Sequence, residues 1–557
     1  HMARSTRWGR RLLALATVSL ACVPFFMLRL STVPTVLRHD AYVPQLRSPP
    51  ERRVVTAAAA PPLRLVASNV LDEVKANVNS AAQKLAPTFV PPASEVPASL
   101  PALPPPAAVA SPGTTSSTQR GKLVSALAVG DSISSKVTDK GHAVQYMKRV
   151  FSVIAQGVAQ LGALPAPGGE TDTIFVSIVA YRDTPTCLRL LNNIFAQAEL
   201  PQTLSVGVVE TRCVAPPCVR GVHWGESREA VSSPTLDAPC VDGFCASVAG
   251  RAACDAGRVR SVQMNEKAAL SGSPAFARFA AAQLYEGEAY FVQLGAGTGS
   301  QSNALMHGWD VEVRRQLAQV GARGVLSHHP PASLASAPSP RTIGALCSAA
   351  FAPRGAPLFG ALLPQQLRRT VGGASAQPRR AAFATTAFIA ARAALLREVP
   401  FDPYILFLPT VSEDVLLSAR LWTHGWRVFS PAKPIVARNY AALRDEEAPR
   451  WQEDINRRHD SNDAHNALAE LSTLRMKRIL LLQAAAGDDA YVVSEAPRFG
   501  LGARAPLDAL WSGTGVDAVH HRPELTSTAS RVREDAAEIV RATRLTWCAR
   551  GVEPGSG

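Results

Sequence analysis

Two adjacent carboxylates, Glu413 and Asp414, follow Ser412 at the head of an apolar stretch with helical spacing. Such a pair can carry general acid–base chemistry or ligate a hard cation. The helix dipole alone also favours acidic residues in a first turn behind a serine N-cap, so a structural role fits the same residues. His328-His329 offers two imidazoles, but a polar pair ahead of Pro330-Pro331 reads as a solvated loop. Cys213, Cys218, Cys240, Cys245 and Cys254 crowd one segment with two C-x4-C spacings, open to zinc or to disulfides. Gly295, Gly297 and Gly299 lack the spacing of a dinucleotide-binding loop.

The elements that must position these groups alternate. Residues 174–181 (IFVSIVAY) read as a strand, and Thr184-Pro185 opens a helix after them. Strands follow at 204–210, 258–264, 289–294, 324–327 and 426–429. Helical spacing marks 273–285, 309–320, 387–398 and 412–424, the last closed by Gly425. Strands separated by helices predict an α/β body with a mostly parallel sheet covered on both faces. Ligands of such sheets bind outside the carboxyl ends of the strands. That rule selects Ser177, Arg182, Asp183, Glu210, Asn265 and the residues after Leu294.

With hydrophobic residues at 47% and charged residues at 18%, a wholly disordered chain is excluded. The net charge of +14 suits a polyanionic ligand or an acidic surface. Aromatics are only 6% and are not interleaved with lysine runs, which argues against nucleic acid. Arg4, Arg7, Arg10 and Arg11 precede an apolar run over 12–28, long enough at about 26 Å for a thin early-secretory membrane. The basic flank predicts a signal-anchor transmembrane helix with the body in the lumen. A cleaved signal peptide is the rival, though Phe25-Phe26-Met27-Leu28 lacks the small residues of a cut site. The resulting plan is a cytosolic tail and anchor over 1–30, a disordered Pro/Ala-rich stem and linker over 31–170, and a catalytic-type domain over 171–557. An oxidising lumen favours disulfides over zinc.

The opening run Ile174-Phe175-Val176-Ser177-Ile178-Val179-Ala180-Tyr181-Arg182-Asp183 carries a family resemblance, as do Gly308-Trp309-Asp310, Leu326-Ser327-His328-His329-Pro330, Val399-Pro400-Phe401-Asp402-Pro403 and Phe499-Gly500-Leu501-Gly502. In this order, over residues 172–548, the chain resembles the Golgi polypeptide α-N-acetylglucosaminyltransferases of protists, which include hydroxyproline GlcNAc-transferases and trypanosomatid mucin-type enzymes. The resemblance implies a GT-A-like nucleotide-sugar fold and a type II Golgi membrane protein. It also implies UDP-GlcNAc as donor, a Mn²⁺ ion, and transfer with retention to Ser/Thr or hydroxyproline hydroxyls of a polypeptide acceptor. It points to Glu413 and Asp414 for catalysis and to Ser177, Arg182, Asp183 and Arg278 for donor binding, though a structural turn would also explain the first three of these and an exposed helix arginine the last; Arg438 joins the donor site by its charge. The pattern breaks at the metal. Gly295-Ala296-Gly297 stand where relatives carry an Asp-x-Asp-like motif, and Arg438 stands in Val436-Ala437-Arg438-Asn439-Tyr440 where relatives carry His. None of the first three supplies a ligand, whereas a guanidinium can pair bidentately with phosphate. Two readings follow: a transferase in which Arg438 replaces the ion, or an inactive pseudo-glycosyltransferase that binds or regulates an active paralogue. For Arg438 itself a surface salt bridge is the bland alternative.

Overall fold

Residues alternating between two apolar layers build the centre of the molecule. Phe175 and Phe291 enter one core cluster, while Val176 and Val292 enter the other. Burial on both faces is the signature of a parallel sheet covered by helices on each side. The computed structural model describes residues 116–129, 140–168, 172–214, 218–220, 231–233, 236–266, 270, 273–295, 297–298, 301–332, 342–351, 362–370, 377–406, 410–438, 462–480 and 491–514.

The strands that matter to the site are β1 (Ile174–Tyr181), β2 (Leu204–Arg212), β3 (Val259–Asn265), β4 (Tyr290–Gly295), β5 (Gln301–Leu305), β6 (Gly324–Ser327), β7 (Arg379–Arg380), β8 (Phe388–Arg392), β9 (Arg427–Ser430) and β10 (Val436–Arg438). An eight-stranded sheet runs β7-β9-β6-β8-β4-β1-β2-β3, all in one direction except β7 and β8. The expected mixed α/β body with a mostly parallel sheet is therefore present. Outside this sheet β10 pairs antiparallel with β5, setting Arg438 opposite Asn303.

The helices used below are α1 (Ser117–Val129), α2 (Lys140–Leu161), α3 (Thr184–Ala196), α4 (Cys240–Ala246), α5 (Pro274–Ala282), α6 (Trp309–Val320), α7 (Ala394–Glu398), α8 (Thr410–Thr423) and α9 (Asn462–Ile479). Residues of α2, α5, α8 and α9 cover one face of the sheet, and those of α3, α4 and α6 the other. Gly425 closes α8 at φ +84°, with Trp426 N–H reaching Leu421 O and Gly425 N–H reaching Trp422 O, a Schellman stop.

Three sequence expectations need correction here. The linker assigned to 31–170 contains α1 and α2, and both belong to the body. Ala143, Met147, Val150, Ile154, Val158 and Leu161 bury one stripe of α2 in the core. Arg120 of α1 is itself buried, donating to Gln283 O at 2.9 Å and Tyr285 O at 2.5 Å. The predicted helix over 387–398 is strand β8 followed by the short α7. Phe388–Arg392 lies between β4 and β6, where only an extended backbone satisfies both neighbours, so tertiary pairing overrides the helical bias of its alanines. Finally, α8 starts at Thr410, which puts Ser412 inside the first turn instead of at the N-cap. Among the described residues Cys187 pairs with Cys240 and Cys245 with Cys254 as disulfides, and Cys213 and Cys347 are disulfide-bonded too. No described helix is long and apolar enough to cross a membrane; the 12–28 run and the stem to residue 115 lie outside the described residues.

Candidate active site

The carboxyl ends of β1, β2, β3 and β4 share one edge of the sheet, and β8 starts there because it runs against β4. At this edge β4 ends on Gly295. Its N–H faces Ala387 O at 3.5 Å, and its carbonyl accepts from Asn303 Nδ2. Asn303 Oδ1 in turn accepts from Arg438 Nε at 2.8 Å. A Cβ placed on Gly295 would lie 3.8 Å from Arg438 Nη2. The two positions that depart from the family pattern thus come together in space, held by an asparagine that sequence reasoning did not single out. The β5–β10 pairing that brings Asn303 opposite Arg438 is a long-range feature with no local signature.

These residues do not fit a divalent ion. Gly295 and Gly297 have no side chain, Ala296 lies outside the described residues, and a guanidinium fills the adjoining space. Among the described residues no group of three or more His, Cys, Asp or Glu side chains could hold a metal. Oxygen or imidazole ligands, which Mn²⁺ requires, are replaced by a fixed positive charge.

Glu413 closes the first turn of α8 and Asp414 follows it directly. Glu413 forms a buried bidentate pair with Arg278 of α5; Arg278 Nε donates to Oε1 at 3.1 Å and Nη2 donates to Oε2. Burial pushes the Glu413 carboxyl up while Arg278 pulls it back. Arg278, expected at the donor phosphates, is placed in this pair. Asp414 Oδ1 accepts from Thr386 N–H at 2.7 Å, one residue before the Ala387 that faces Gly295. Desolvation raises its pKa to about 7 against that hydrogen bond, with Glu413 adding to the rise. One carboxyl thus fastens α8 to α5, and the other fastens α8 to the turn beside β4.

The remaining predicted donor contacts separate. Ser177 sits within β1, fully buried, and its Oγ donates to Gln293 Oε1 at 3.0 Å across the β1–β4 seam. It belongs to the interior, because its hydroxyl satisfies a buried amide. Arg182 follows β1 at φ 49°, an uncommon left-handed conformation for a side chain of its size. Its guanidinium meets Asp237 Oδ2 at 3.2 Å and Glu266 Oε2 at 2.7 Å, tying together the segments that follow β1, β2 and β3. Asp183 caps α3 by accepting from Thr186 N–H at 3.1 Å. Glu210 accepts from Cys240 N–H at 2.6 Å and Val241 N–H at 3.3 Å at the start of α4, and burial raises its pKa.

The histidine pair is not a solvated loop. His328 is buried with its ring centroid 4.9 Å from that of Phe388, and Nδ1 lies 2.9 Å from His329 O. Burial lowers its pKa to about 4. His329 is half-buried, and its pKa also falls to about 4, from burial and then from the Arg438 charge.

Residues 173–520, more than half of the chain, match the family model for Glycosyltransferase (GlcNAc). No curated protein matches the chain. Among solved structures, GalNAc-T7 with UDP, GalNAc and Mn²⁺ is similar at 11% identity over 63% of this chain and 58% of that one, with a TM-score of 0.35. TarS 1-349 of S. aureus with UDP is similar at 14% identity, 67% and 89% coverage and a TM-score of 0.28. The mannosyltransferase PcManGT from Pyrobaculum calidifontis with GDP-Man and Mn²⁺ is similar at 14% identity, 76% and 98% coverage and a TM-score of 0.26. The chain thus spans less than two thirds of the length of the first of these structures.

Proposed function

We propose that this chain, which belongs to the glycosyltransferase (GlcNAc) family, transfers GlcNAc from UDP-GlcNAc to Ser/Thr or hydroxyproline hydroxyls of a polypeptide, with an arginine in place of the divalent metal. The placement of Arg438 against Gly295, at the carboxyl edge of a parallel sheet, carries this reading. In the transfer, the bond between the anomeric carbon and the diphosphate oxygen breaks and a bond from that carbon to the acceptor oxygen forms. The acceptor proton passes to a base or to the released UDP. Negative charge grows on the departing diphosphate, and a preorganised cation there stabilises the transition state more than the ground state. Asn303 preorganises Arg438 by holding Nε at 2.8 Å. Asp414, with a pKa near neutrality, is the carboxyl of the pair able to exchange a proton at the edge, and Glu413 acts through Arg278 to hold α8 in place. The GT-A-like fold is the architecture this reading assumes.

A second reading has its own support. Because Glu413 is closed against Arg278 in a buried pair, a catalytically inactive pseudo-glycosyltransferase that regulates an active paralogue also fits. One assay separates the two: transfer from UDP-GlcNAc to a Thr-rich peptide, with EDTA and Mn²⁺ arms. Turnover in EDTA supports the arginine-assisted enzyme, and strict Mn²⁺ dependence sinks it. Stabilisation by UDP without turnover in either arm favours the silent partner. Disulfides in the body, and the basic-flanked apolar run at 12–28, support a single-pass Golgi membrane protein with its body in the lumen. Digestion of the body by protease added outside sealed microsomes would refute that topology.

A further inference from the structure

We infer that His329 is a specificity-determining residue that hydrogen-bonds a hydroxyl of the donor sugar. The inference rests on the donor reading above and names the part of the ligand that a residue with no role assigned so far would contact. β6 delivers His328 and His329 to the same sheet edge as Gly295, since β6 and β4 flank β8 in the same direction. The loop after β6 then runs beside β10: Arg438 N–H donates to Pro331 O at 2.9 Å, and Ala332 bridges Arg438 in parallel. His328 is used up structurally. Its ring packs on Phe388, and its Nε2 faces Ile435 N–H at 3.5 Å.

His329 differs from its neighbour. It is half-buried, it lies within the influence of the Arg438 charge, and its ring makes no hydrogen bond to the described residues. An imidazole with a lowered pKa stays neutral at physiological pH and presents one donor and one acceptor. That pattern suits a hydroxyl, whereas the neighbouring guanidinium suits phosphate. In a nucleotide sugar the anomeric carbon is bonded directly to a phosphate oxygen. If Arg438 holds the diphosphate, an uncharged hydrogen-bonding group at its side meets the sugar.

Titration calorimetry of the full chain with UDP and with UDP-GlcNAc, without metal, tests this. His329→Ala should bind UDP within about twofold of the unsubstituted protein but bind UDP-GlcNAc about tenfold more weakly, the loss of roughly one hydrogen bond. His329→Gln, which keeps a donor and an acceptor, should recover most of the difference, and it carries the test if the alanine variant misfolds. Equal weakening of both ligands, or no change in either, overturns the sugar contact while leaving the donor site standing. Failure of the unsubstituted protein to bind either ligand overturns the donor reading itself, and His329 with it.

Discussion

The guanidinium of Arg438 sits where a side chain on Gly295 would point, with Nη2 3.8 Å from the Cβ position. The resemblance implies a metal ligand at both positions; in this chain one has no side chain and the other carries a cation. If the cation does the ion's work, activity is unaffected by EDTA and Arg438→Ala lowers turnover about 10²–10³-fold, the range for losing one preorganised electrostatic contact. Arg438→Lys should recover only part of this, because a point charge cannot pair bidentately. Steady-state kinetics in EDTA checks both variants, and full activity in Arg438→Ala would refute the substitution of cation for metal.

Gly295 can be given back a carboxylate. Among the described residues a Cβ there meets only Arg438, at ordinary contact distance, and the backbone does not need glycine's left-handed freedom. Gly295→Asp should therefore fold with a Tm within about 2 °C of the parent, as substitutions away from special backbone and packing sites do. Its new charge would pair with Arg438 and weaken UDP binding. Adding Arg438→His puts two metal-compatible ligands at one place, and UDP binding should then rise with Mn²⁺. Calorimetry with and without Mn²⁺ decides; a double variant indifferent to Mn²⁺ removes the case that these two positions form one site.

Much of the frame was legible in the chain. Trp309–Val320 and Gly324–Ser327 match their sequence-derived bounds because apolar spacing and the glycine at position 321 delimit them locally. The pattern of α2 was equally local, but the proline-rich composition upstream drew the linker boundary too far, past Met147 and Ile154. β8 was hidden because Phe388-Ile389-Ala390-Ala391 has no strand alternation when both faces are buried. For the site, Gly295 and Arg438 could be singled out only through resemblance, and their juxtaposition depends on Asn303 and the β5–β10 pairing. The burial of His328 behind Phe388 was illegible for the same reason: its cause lies in a distant strand.

Arg278 and Glu413 form a closed pair with each side chain only 8% exposed. Removing one partner strands a buried charge, so Arg278→Ala should destabilise the protein by about 3–5 kcal/mol. Replacing both at once, Arg278→Met with Glu413→Leu, removes the desolvation penalty along with the attraction and should regain most of that loss. Urea unfolding of the two variants checks the pattern. A double variant as unstable as Arg278→Ala would mean that the pair's hydrogen bonds, and not the stranded charge, hold α5 to α8.

The Cys187–Cys240 bridge closes a loop across 53 residues and staples α3 to α4, where Glu210 receives two amide hydrogens. Loop-closure entropy for that separation gives about 4 kcal/mol of stabilisation at most. Cys187→Ser in a Cys240→Ser background should thus lower stability by about 2–4 kcal/mol, read by denaturant titration under non-reducing conditions. A double serine variant as stable as the parent would show that packing of α3 on α4 holds this corner without the bridge.

Asp414 makes stability depend on pH in a direction opposite to most carboxylates. Its carboxyl has a pKa of about 7 in the folded protein against an ordinary 3.8, so between those values the folded state holds a proton that the unfolded state has released. Stability from this group is complete below about pH 3.8 and is lost as pH rises through about 7. His328 and His329 act the other way. With pKa values lowered to about 4, they favour the folded state above the ordinary 6.5 and lose that contribution as pH falls toward 4. Comparing one substitution with the parent at each pH cancels the histidines. Asp414→Asn keeps an oxygen to accept from Thr386 N–H but has no proton to lose. Its Tm relative to the parent should rise from pH 5 to pH 8, by several degrees if the shift is near its full size. A Tm difference that stays constant across that range would mean that Asp414 ionises normally in the folded protein, and would remove it as the group that exchanges a proton at the sheet edge.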